Sequence, residues 1–243
     1  MMYAEDSAGK KVKAEPKKLG KCPSCKVDLI AKCGKIMVWH WSHKSLRDCD
    51  SWAEGESQWH MEWKSYFPAE QVEVSMGNHR ADVVTSKGIV IELQTKGLSV
   101  DDIRVREVFY KNMVWLFKVE KTHNFGYHEP YDFEKDAPVV QMPGKRKWWS
   151  FGWKYPMKCL AFASKPVFLD LGKKGIFEIK KIHGGSYFKG WGYKLSNSEF
   201  LERSGIIFNP FSALEAVGFM GRPSLIGDVT ESIVLNTSAV ITL

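Results

Sequence analysis

The alternation of apolar and polar residues predicts a β-hairpin over residues 82–94, and the rest of the predicted core is arranged around it. Two β-branched runs flank the turn residues 86–88. Successive side chains of a strand point to opposite faces, so Glu92 and Gln94 share one face. With this turn, Asp82 falls opposite Glu92 on the neighbouring strand.

The two carboxylates of this hairpin indicate a bound cation. Asp82 and Glu92 repel each other in an otherwise apolar setting unless positive charge lies between them. A divalent ion with oxygen ligands, most simply Mg²⁺ or else Mn²⁺, would supply that charge. The alternative is an edge strand whose polar face meets water.

The stretch before the hairpin predicts a helix from Trp52 to Phe67. Ser51 and Glu54 have the spacing of a capping box, and Pro68 stops the helix. The apolar stripe at a spacing of four is Trp59, Trp63 and Phe67. Three ionisable residues with the same spacing border this buried face: Glu56, His60 and Lys64. Next to the acidic hairpin they predict the wall of a site, and a surface ladder is the alternative.

The remaining elements of residues 51–120 predict a mixed α/β core. Residues 72–76 form a strand, and the turn at Gly77 leads into the strand that carries Asp82. Ser99 and Asp102 form an N-cap pair that opens a helix ending near residue 112. The fully apolar run at 114–117 predicts a central parallel strand.

Residues 121–243 predict a β-rich C-terminal extension. Residues 119–146 read as a long polar loop, 167–179 as a hairpin, and the glycines and aromatics of 184–193 as irregular β structure. No chemistry is evident after about residue 200. A cluster of cations with flat aromatics suits nucleic-acid binding, although buried tryptophans of a strand would give the same pattern: Lys145, Arg146 and Lys147, followed by Trp148 and Trp149.

Composition favours a polyanionic partner, of which nucleic acid is the commonest. The net charge is +7, and no apolar run is long enough to cross a bilayer. Residues 1–20 lack the apolar core of a signal peptide and are interpreted as a disordered basic arm. A cytoplasmic location is therefore expected, without a membrane partner, and protein partners stay unassigned.

The cysteines predict a zinc-ribbon-like module over residues 21–50. Four of the five cysteines lie between residues 22 and 49, which favours metal over disulfides in a chain without a secretion signal. Zinc takes four Cys or His ligands, and a closed site is structural. The first choice of ligands is Cys22, Cys25, His40 and His43, with Cys49 as an alternative to His40. Cys33 fits better as a buried residue, and a metal-free set of reduced cysteines is the competing interpretation.

The order of these motifs resembles the competence protein CoiA-like family, a branch of the PD-(D/E)XK nuclease superfamily. The matching segments lie between residues 22 and 118: Cys22–Cys25, Trp39–Lys44, Cys49–Asp50, Glu56 with His60 and Lys64, Arg80–Val83, Glu92–Gln94, and Arg106 with Tyr110. The resemblance implies a restriction-endonuclease-like mixed-sheet core, preceded by a zinc-binding leader. It also implies metal-dependent phosphodiester cleavage, with Asp82 and Glu92 as the acids. Gln94 stands where the superfamily usually has a lysine, and Lys64 or Lys96 would compensate.

These observations predict a magnesium-dependent nuclease, a hydrolase acting on DNA. The expected catalytic residues are Asp82, Glu92, Gln94, Lys64, Glu56 and His60, and the expected nucleic-acid contacts are Lys145, Arg146, Lys147 and Arg106. Lys64 would lie over the attacked phosphate, and His60 would bind phosphate or move a proton. A non-catalytic nucleic-acid-binding protein that keeps the fold is the first alternative, and a zinc-ribbon adaptor for protein partners is the second.

Overall fold

The computed structural model describes residues 1–44, 49–52, 55–132, 137–139, 141, 145–183 and 187–205. The described residues lie within the unit Met1–Ile206, and residues 207–243 lie outside the described part of the chain. Three α-helices are described: α1 (Gln58–Ser65), α2 (Val100–Tyr110) and α3 (Asn197–Arg203). No helix in the described part of the chain is both long and apolar enough to cross a bilayer.

Fifteen strands are described. Six form three small two-stranded sheets: β1 (Tyr3–Glu5) with β2 (Lys11–Lys13), β3 (Ile30–Lys32) with β4 (His40–Ser42), and β10 (Tyr131–Asp132) with β11 (Ala137–Pro138). The other nine are β5 (Val72–Met76), β6 (His79–Val84), β7 (Val90–Gln94), β8 (Met113–Lys118), β9 (Phe125–His128), β12 (Trp149–Trp153), β13 (Val167–Asp170), β14 (Ile176–His183) and β15 (Phe188–Leu195).

These nine strands form one mixed sheet in the order β5-β6-β7-β8-β13-β14-β15-β12-β9. Strand β8 pairs parallel with both β7 and β13, and every other pair is antiparallel. Because both neighbours of β8 hydrogen-bond to it and both faces are covered, its apolar run Trp115–Phe117 is fully buried. The prediction of a central parallel strand is confirmed, as is the hairpin formed by β13 and β14.

Helix α1 begins later than predicted. The structure starts it at Gln58, with Ser57 as the N-cap, and its capping box pairs Ser57 with His60. Gly55 precedes this cap and favours helix only weakly, so the helix does not extend back to Trp52. The predicted box partner of Ser51, residue 54, lies outside the described residues. The predicted apolar stripe is buried, and Phe67 lies just beyond the end of α1.

The first residues of the chain are ordered, which differs from the predicted disordered arm. Strands β1 and β2 form a hairpin, and Met1 exchanges backbone hydrogen bonds with Trp41 of β4. Met1, Ala4 and Trp41 pack together with Cys22 in a small core. Apolar residues at the start of the chain therefore bury the cysteine module instead of leaving a solvated tail.

The predicted C-terminal extension continues the core sheet. Strands β13, β14, β15, β12 and β9 follow directly on β8, so residues 125–195 extend the same sheet. The loop predicted at 119–146 contains β9, β10 and β11. Of the predicted irregular stretch, residues 184–186 lie outside the described residues, and the part in β15 pairs with β14 through a register shift between Ile179 and Lys181. Gly190 and Gly192 of β15 leave no room for a Cβ, which would come within 1.9 and 2.1 Å of backbone oxygens of β14.

Candidate functional site

The hairpin of β6 and β7 brings Asp82 and Glu92 together as predicted. Its register pairs Val83 with Ile91, which places residue 82 opposite residue 92. Asp82 Oδ2 accepts a hydrogen bond from the Leu93 amide at 3.0 Å, and the Asp82 amide donates to Glu92 Oε1 at 3.4 Å. The backbone of each strand thus holds a carboxylate of this pair.

A small, mainly polar pocket lies at these two carboxylates. Its volume of about 30 Å³ has room for roughly two water molecules. Side chains from α1, β6, β7 and α2 meet there, together with the segment that precedes α1. The lining residues are Trp52, Gly55, Glu56, His60, Arg80, Asp82, Glu92, Leu93, Gln94 and Arg106. Five of the six residues predicted to be catalytic therefore line one cavity, and Lys64 lies directly behind it.

Lys64 is 1% exposed and is surrounded by carboxylates. Its Nζ lies 2.8 Å from Glu56 Oε1, 3.1 Å from Glu73 Oε1 and 2.9 Å from Asp82 Oδ1. Burial alone would lower the pKa of Lys64, but the three carboxylates raise it well above its usual value. Lys64 therefore neutralises these three carboxylates without lining the pocket itself. The position predicted for Lys64 from the sequence was instead over the attacked phosphate. Lys96 is exposed beyond the end of β7 and does not line the pocket.

The two acids of the hairpin differ in protonation. Burial raises the pKa of Glu92 to about 8, helped by Asp82 and opposed by Arg106, whose Nη1 lies 3.0 Å from Glu92 Oε2. Burial would also raise the pKa of Asp82, but Lys64 and His60 outweigh it and lower that pKa. One carboxylate is thus held ionised while the other holds a proton near neutral pH. Arg106 is 5% exposed, so its guanidinium supports Glu92 instead of forming the predicted surface contact.

Two oxygens of the pocket residues lack a partner in the described part of the chain. They are Glu56 Oε2 and Gln94 Oε1, both buried. Buried acceptors without a donor are costly, so these positions suit a cation or the waters bound to it. Together with the carboxylates of Asp82 and Glu92 they form the all-oxygen donor set that Mg²⁺ and Mn²⁺ prefer. The residues present therefore fit the divalent ion that the sequence predicts.

His60 lines the pocket, but both nitrogens of its ring are used. Nδ1 lies 2.8 Å from the Ser57 hydroxyl and accepts from the Ser57 amide at 3.3 Å, which closes the capping box of α1. Nε2 donates to the Leu93 carbonyl at 3.3 Å when it carries the proton. The imidazole therefore ties α1 to β7, and no ring nitrogen is free for the predicted proton transfer.

A second site lies in the N-terminal module. The ligand atoms of Cys22, Cys25, His43 and Cys49 all lie within 4.8 Å of one another. Tetrahedral zinc with Zn–S bonds of about 2.3 Å places two sulfurs roughly 3.8 Å apart. The Cys22 and Cys49 sulfurs are separated by 3.7 Å, and Cys25 Sγ lies 3.3 Å from His43 Nε2. This cluster has the ligands and the spacing to hold one zinc ion.

His40 does not belong to this cluster, so the first choice of ligands is wrong at one position and the alternative, Cys49, replaces it. His40 lies on β4, where its Nδ1 is 2.8 Å from the Val38 carbonyl. His43 follows the end of β4, so it is free of the strand alternation that turns the His40 side chain elsewhere. Cys33 is half-buried outside the cluster.

The predicted nucleic-acid contacts at residues 145–147 lie apart from the pocket. They precede β12, and Arg146 contacts Glu178 of β14, which is three strand spacings from β7, roughly 14 Å at the usual 4.8 Å between strands. Arg146 pairs with Glu178 at 2.8 Å and covers the ring of Tyr193. Lys147 pairs with Glu129, while Lys145 is exposed. The structure does not bring this cluster and the acidic pocket together.

Two buried acids of the site escaped the sequence analysis. Glu73 is 1% exposed and contacts Lys64, and Asp50 is 7% exposed and contacts the start of β6. Glu73 alternates with the apolar residues of β5, a pattern that indicates a solvent-facing side chain. Asp50 offered one signal, because it directly follows Cys49 in the motif that resembles the family.

The fold and these two sites define a mixed α/β protein with a large mixed sheet, a buried acidic pocket and a Cys/His cluster that can bind zinc. A family model described as "Competence protein CoiA, N-terminal domain" matches residues 10–51, which contain the whole cluster. This match agrees with the resemblance to the competence protein CoiA-like family that the sequence motifs indicate. The search of curated proteins and the search of solved structures both found no match.

Proposed function

We propose that the protein is a metal-dependent nuclease that hydrolyses phosphodiester bonds of DNA in the pocket of Asp82 and Glu92. The observation that carries this proposal is the convergence of Asp82, Glu92, Glu56 and Gln94 on one cavity, with two buried oxygens that lack a partner. The order of elements also supports it. Helix α1 precedes the β5-β6-β7 meander, α2 connects β7 to the parallel strand β8, and the acids lie on β6 and β7. This order is compatible with the mixed-sheet core that the resemblance to PD-(D/E)XK nucleases implies.

Asp82 and Glu92 would hold Mg²⁺ or Mn²⁺, and the Glu56 and Gln94 oxygens that lack partners would contact the water bound to the ion. When bound, such an ion stabilises charge on the attacked phosphate and lowers the pKa of a bound water. Binding requires Glu92 to release the proton that its raised pKa retains near neutral pH. Arg106 keeps the Glu92 side chain in place throughout, because their contact is buried.

The residues of the chain itself would then handle the attacking water. Glu56 Oε2 is a buried carboxylate oxygen without a partner, and it can accept a proton from that water. The amide of Gln94 can orient the water but carries no charge. Lys64 would hold Asp82 and Glu56 in their ionised forms and in fixed positions, with Nζ contacts of 2.9 and 2.8 Å.

DNA is the proposed substrate because the net charge of +7 favours a polyanion. The family model that matches residues 10–51 describes a competence protein, which agrees with a role in DNA uptake. The net charge and the family description indicate the binding partner, and the cleavage experiment below tests whether DNA is cut.

A non-catalytic DNA-binding function is the second candidate, and one observation favours it. In this site Asp82 is paired with Lys64 and Glu92 with Arg106, so each acid already has an internal cation. A pocket whose charges are balanced internally needs no metal for its stability. Gln94, in place of the usual lysine of the superfamily, points the same way.

Cleavage of supercoiled, linear duplex and single-stranded DNA in Mg²⁺, Mn²⁺ or chelator separates these two functions. We expect metal-dependent cutting by the wild type and its loss in Asp82→Asn and Glu92→Gln, by about 10³-fold or more. Asp101→Asn is the matched control, since its side chain is 90% exposed on α2, and it should cut like the wild type.

DNA affinity measured on the same variants completes the test. Retained binding with lost cutting in Asp82→Asn would support the nuclease. Absence of cutting by the wild type in every metal, with binding that weakens steeply in salt, would refute it and leave the DNA-binding function.

A further inference from the structure

The zinc module and the acidic pocket are physically connected by buried acids. One connection begins at Asp50, which directly follows the cluster residue Cys49. Asp50 Oδ2 accepts from the Arg80 amide at 2.8 Å, and Oδ1 lies 2.8 Å from His79 Nδ1. His79 and Arg80 open β6, which carries Asp82 two residues later. The carboxylate of Asp50 therefore anchors the strand of the first acid.

The same carboxylate also fixes one wall of the pocket. Asp50 Oδ1 accepts from the Trp52 amide at 2.9 Å. The Trp52 ring stacks parallel on His79, with an interplanar angle of 3°. The Trp52 carbonyl accepts from Arg106 Nη2 at 3.3 Å, and Arg106 Nη1 holds Glu92. A short chain of contacts thus leads from the cysteine cluster to the second acid as well.

Glu73 forms an independent connection to residues 2 and 3 at the start of β1, which packs on the zinc module. Its two oxygens accept from the amides of Met2 at 2.7 Å and Tyr3 at 3.0 Å, and Oε1 also contacts Lys64 Nζ at 3.1 Å. Glu73 has a φ of +52°, which costs a side-chain-bearing residue energy. Because the three contacts lie in a fully buried place, they hold the residue in this conformation.

We infer that Asp50 is a positioning residue through which the metal-bound state of the cysteine cluster controls the geometry of the acidic pocket. The zinc module is then part of the pocket and not a separate appendage. Zinc holds Cys49 in place, Cys49 places Asp50, and Asp50 holds β6 and Trp52. This inference rests on the proposed function only in treating Asp82 and Glu92 as the working acids.

Hydrogen exchange at the amides of β6 tests the coupling without any activity. The variant is Asp50→Asn, and the matched control is Asp28→Asn, an exposed aspartate of the same module. We expect Asp50→Asn to keep its zinc and to exchange the β6 amides about tenfold faster than the wild type. Asp28→Asn should match the wild type, and the amides of β14 serve as a reference that does not change.

Removal of zinc by a chelator supplies the second arm. In the wild type it should accelerate exchange in β6 by the same factor of about ten, whereas in Asp50→Asn it should add less than about twofold. If Asp50 only contributed stability, the effects of zinc removal and of Asp50→Asn on the exchange rate would be additive. Additive effects would therefore overturn the inference. Unchanged exchange in zinc-containing Asp50→Asn would overturn it as well. His79→Phe keeps the ring stacked on Trp52 but removes the donor to Asp50, so it replaces Asp50→Asn if that variant does not fold.

Mn²⁺ affinity of the zinc-loaded protein distinguishes this inference from the proposed function. Electron paramagnetic resonance should report about tenfold weaker Mn²⁺ binding in Asp50→Asn than in Asp28→Asn. If exchange and Mn²⁺ binding respond to Asp50 while no DNA is cut, the coupling stands and the nuclease proposal fails. If DNA is cut and neither readout responds, the coupling fails and the nuclease proposal stands.

Discussion

The raised pKa of Glu92 predicts that the proposed binding of a divalent ion in the pocket depends on pH. With a pKa of about 8, Glu92 is ionised in only a small fraction of molecules below neutrality. The groups that face it are Asp82 on β6, Arg106 on α2 and, near Arg106, the Tyr110 hydroxyl. Because a divalent ion needs the carboxylate, the ion must displace a proton before it binds.

The size of the effect follows from this pKa. About 1% of the carboxyl is ionised at pH 6 and about half at pH 8, so the apparent affinity for Mn²⁺ should rise about 50-fold over this interval. Above pH 8 the affinity should level off. The metal-free protein should show the opposite trend in stability. Native Glu92 retains a proton that the unfolded chain releases near its ordinary pKa, so the free energy of unfolding should fall between about pH 5 and pH 8.

Isothermal titration with Mn²⁺ in buffers of different ionisation enthalpy measures both the affinity and the released proton. Glu92→Gln should bind more weakly and lose the dependence on pH, whereas Glu120→Gln, which removes an exposed acid, should keep it. An affinity that stays constant between pH 6 and pH 8 in the wild type would refute the reasoning. A slope that persists unchanged in Glu92→Gln would assign the proton to another group.

Three further predictions concern stability and zinc. Lys64→Met should lower the free energy of unfolding by about 3–5 kcal/mol in chemical denaturation, because the side chains of Glu56, Glu73 and the partly exposed Asp82 lose their shared cation; a change below about 1 kcal/mol would contradict this. Asp170→Ala should cost about 2–5 kcal/mol in the same assay, because two buried indole N–H groups donate to Oδ2 at 2.6 and 2.8 Å. Cys25→Ser should reduce bound zinc from about one per chain to nearly none by atomic emission, and full retention would show that Cys25 is not a ligand.

The acidic hairpin was predictable because its register follows from local sequence. A short turn fixes which residues face each other, and a slip by one residue would turn the whole apolar set to the other face. Asp82 and Glu92 therefore pair as the sequence indicates. The capping box of α2, Ser99 with Asp102, is equally local, and it forms as predicted.

The acids that escaped prediction depend on contacts between distant segments. The alternation along β5 predicts that the Glu73 side chain faces solvent. In the structure residues 1–3 cover this side chain. The sequence close to residue 73 gives no sign that residues 1–3 will cover it. The start of α1 was predicted wrongly for a different reason, because the structure caps the helix at Ser57, and Gly55 separates this cap from the predicted one at Ser51. His40 was misplaced because the spacing of a zinc motif does not reveal where a strand ends.

The order of the strands across the nine-stranded sheet differs from the order in which they are synthesised. Phe117 of β8 pairs with Leu169 of β13, so about fifty residues must leave the ribosome before that edge of β8 gains its partner. At 5–20 residues per second this interval lasts roughly 3–10 s. During that time an apolar strand edge is open to pairing with other chains. A fragment ended near residue 120 would retain this edge permanently, so the acidic pocket belongs to a folding unit that extends to at least β13.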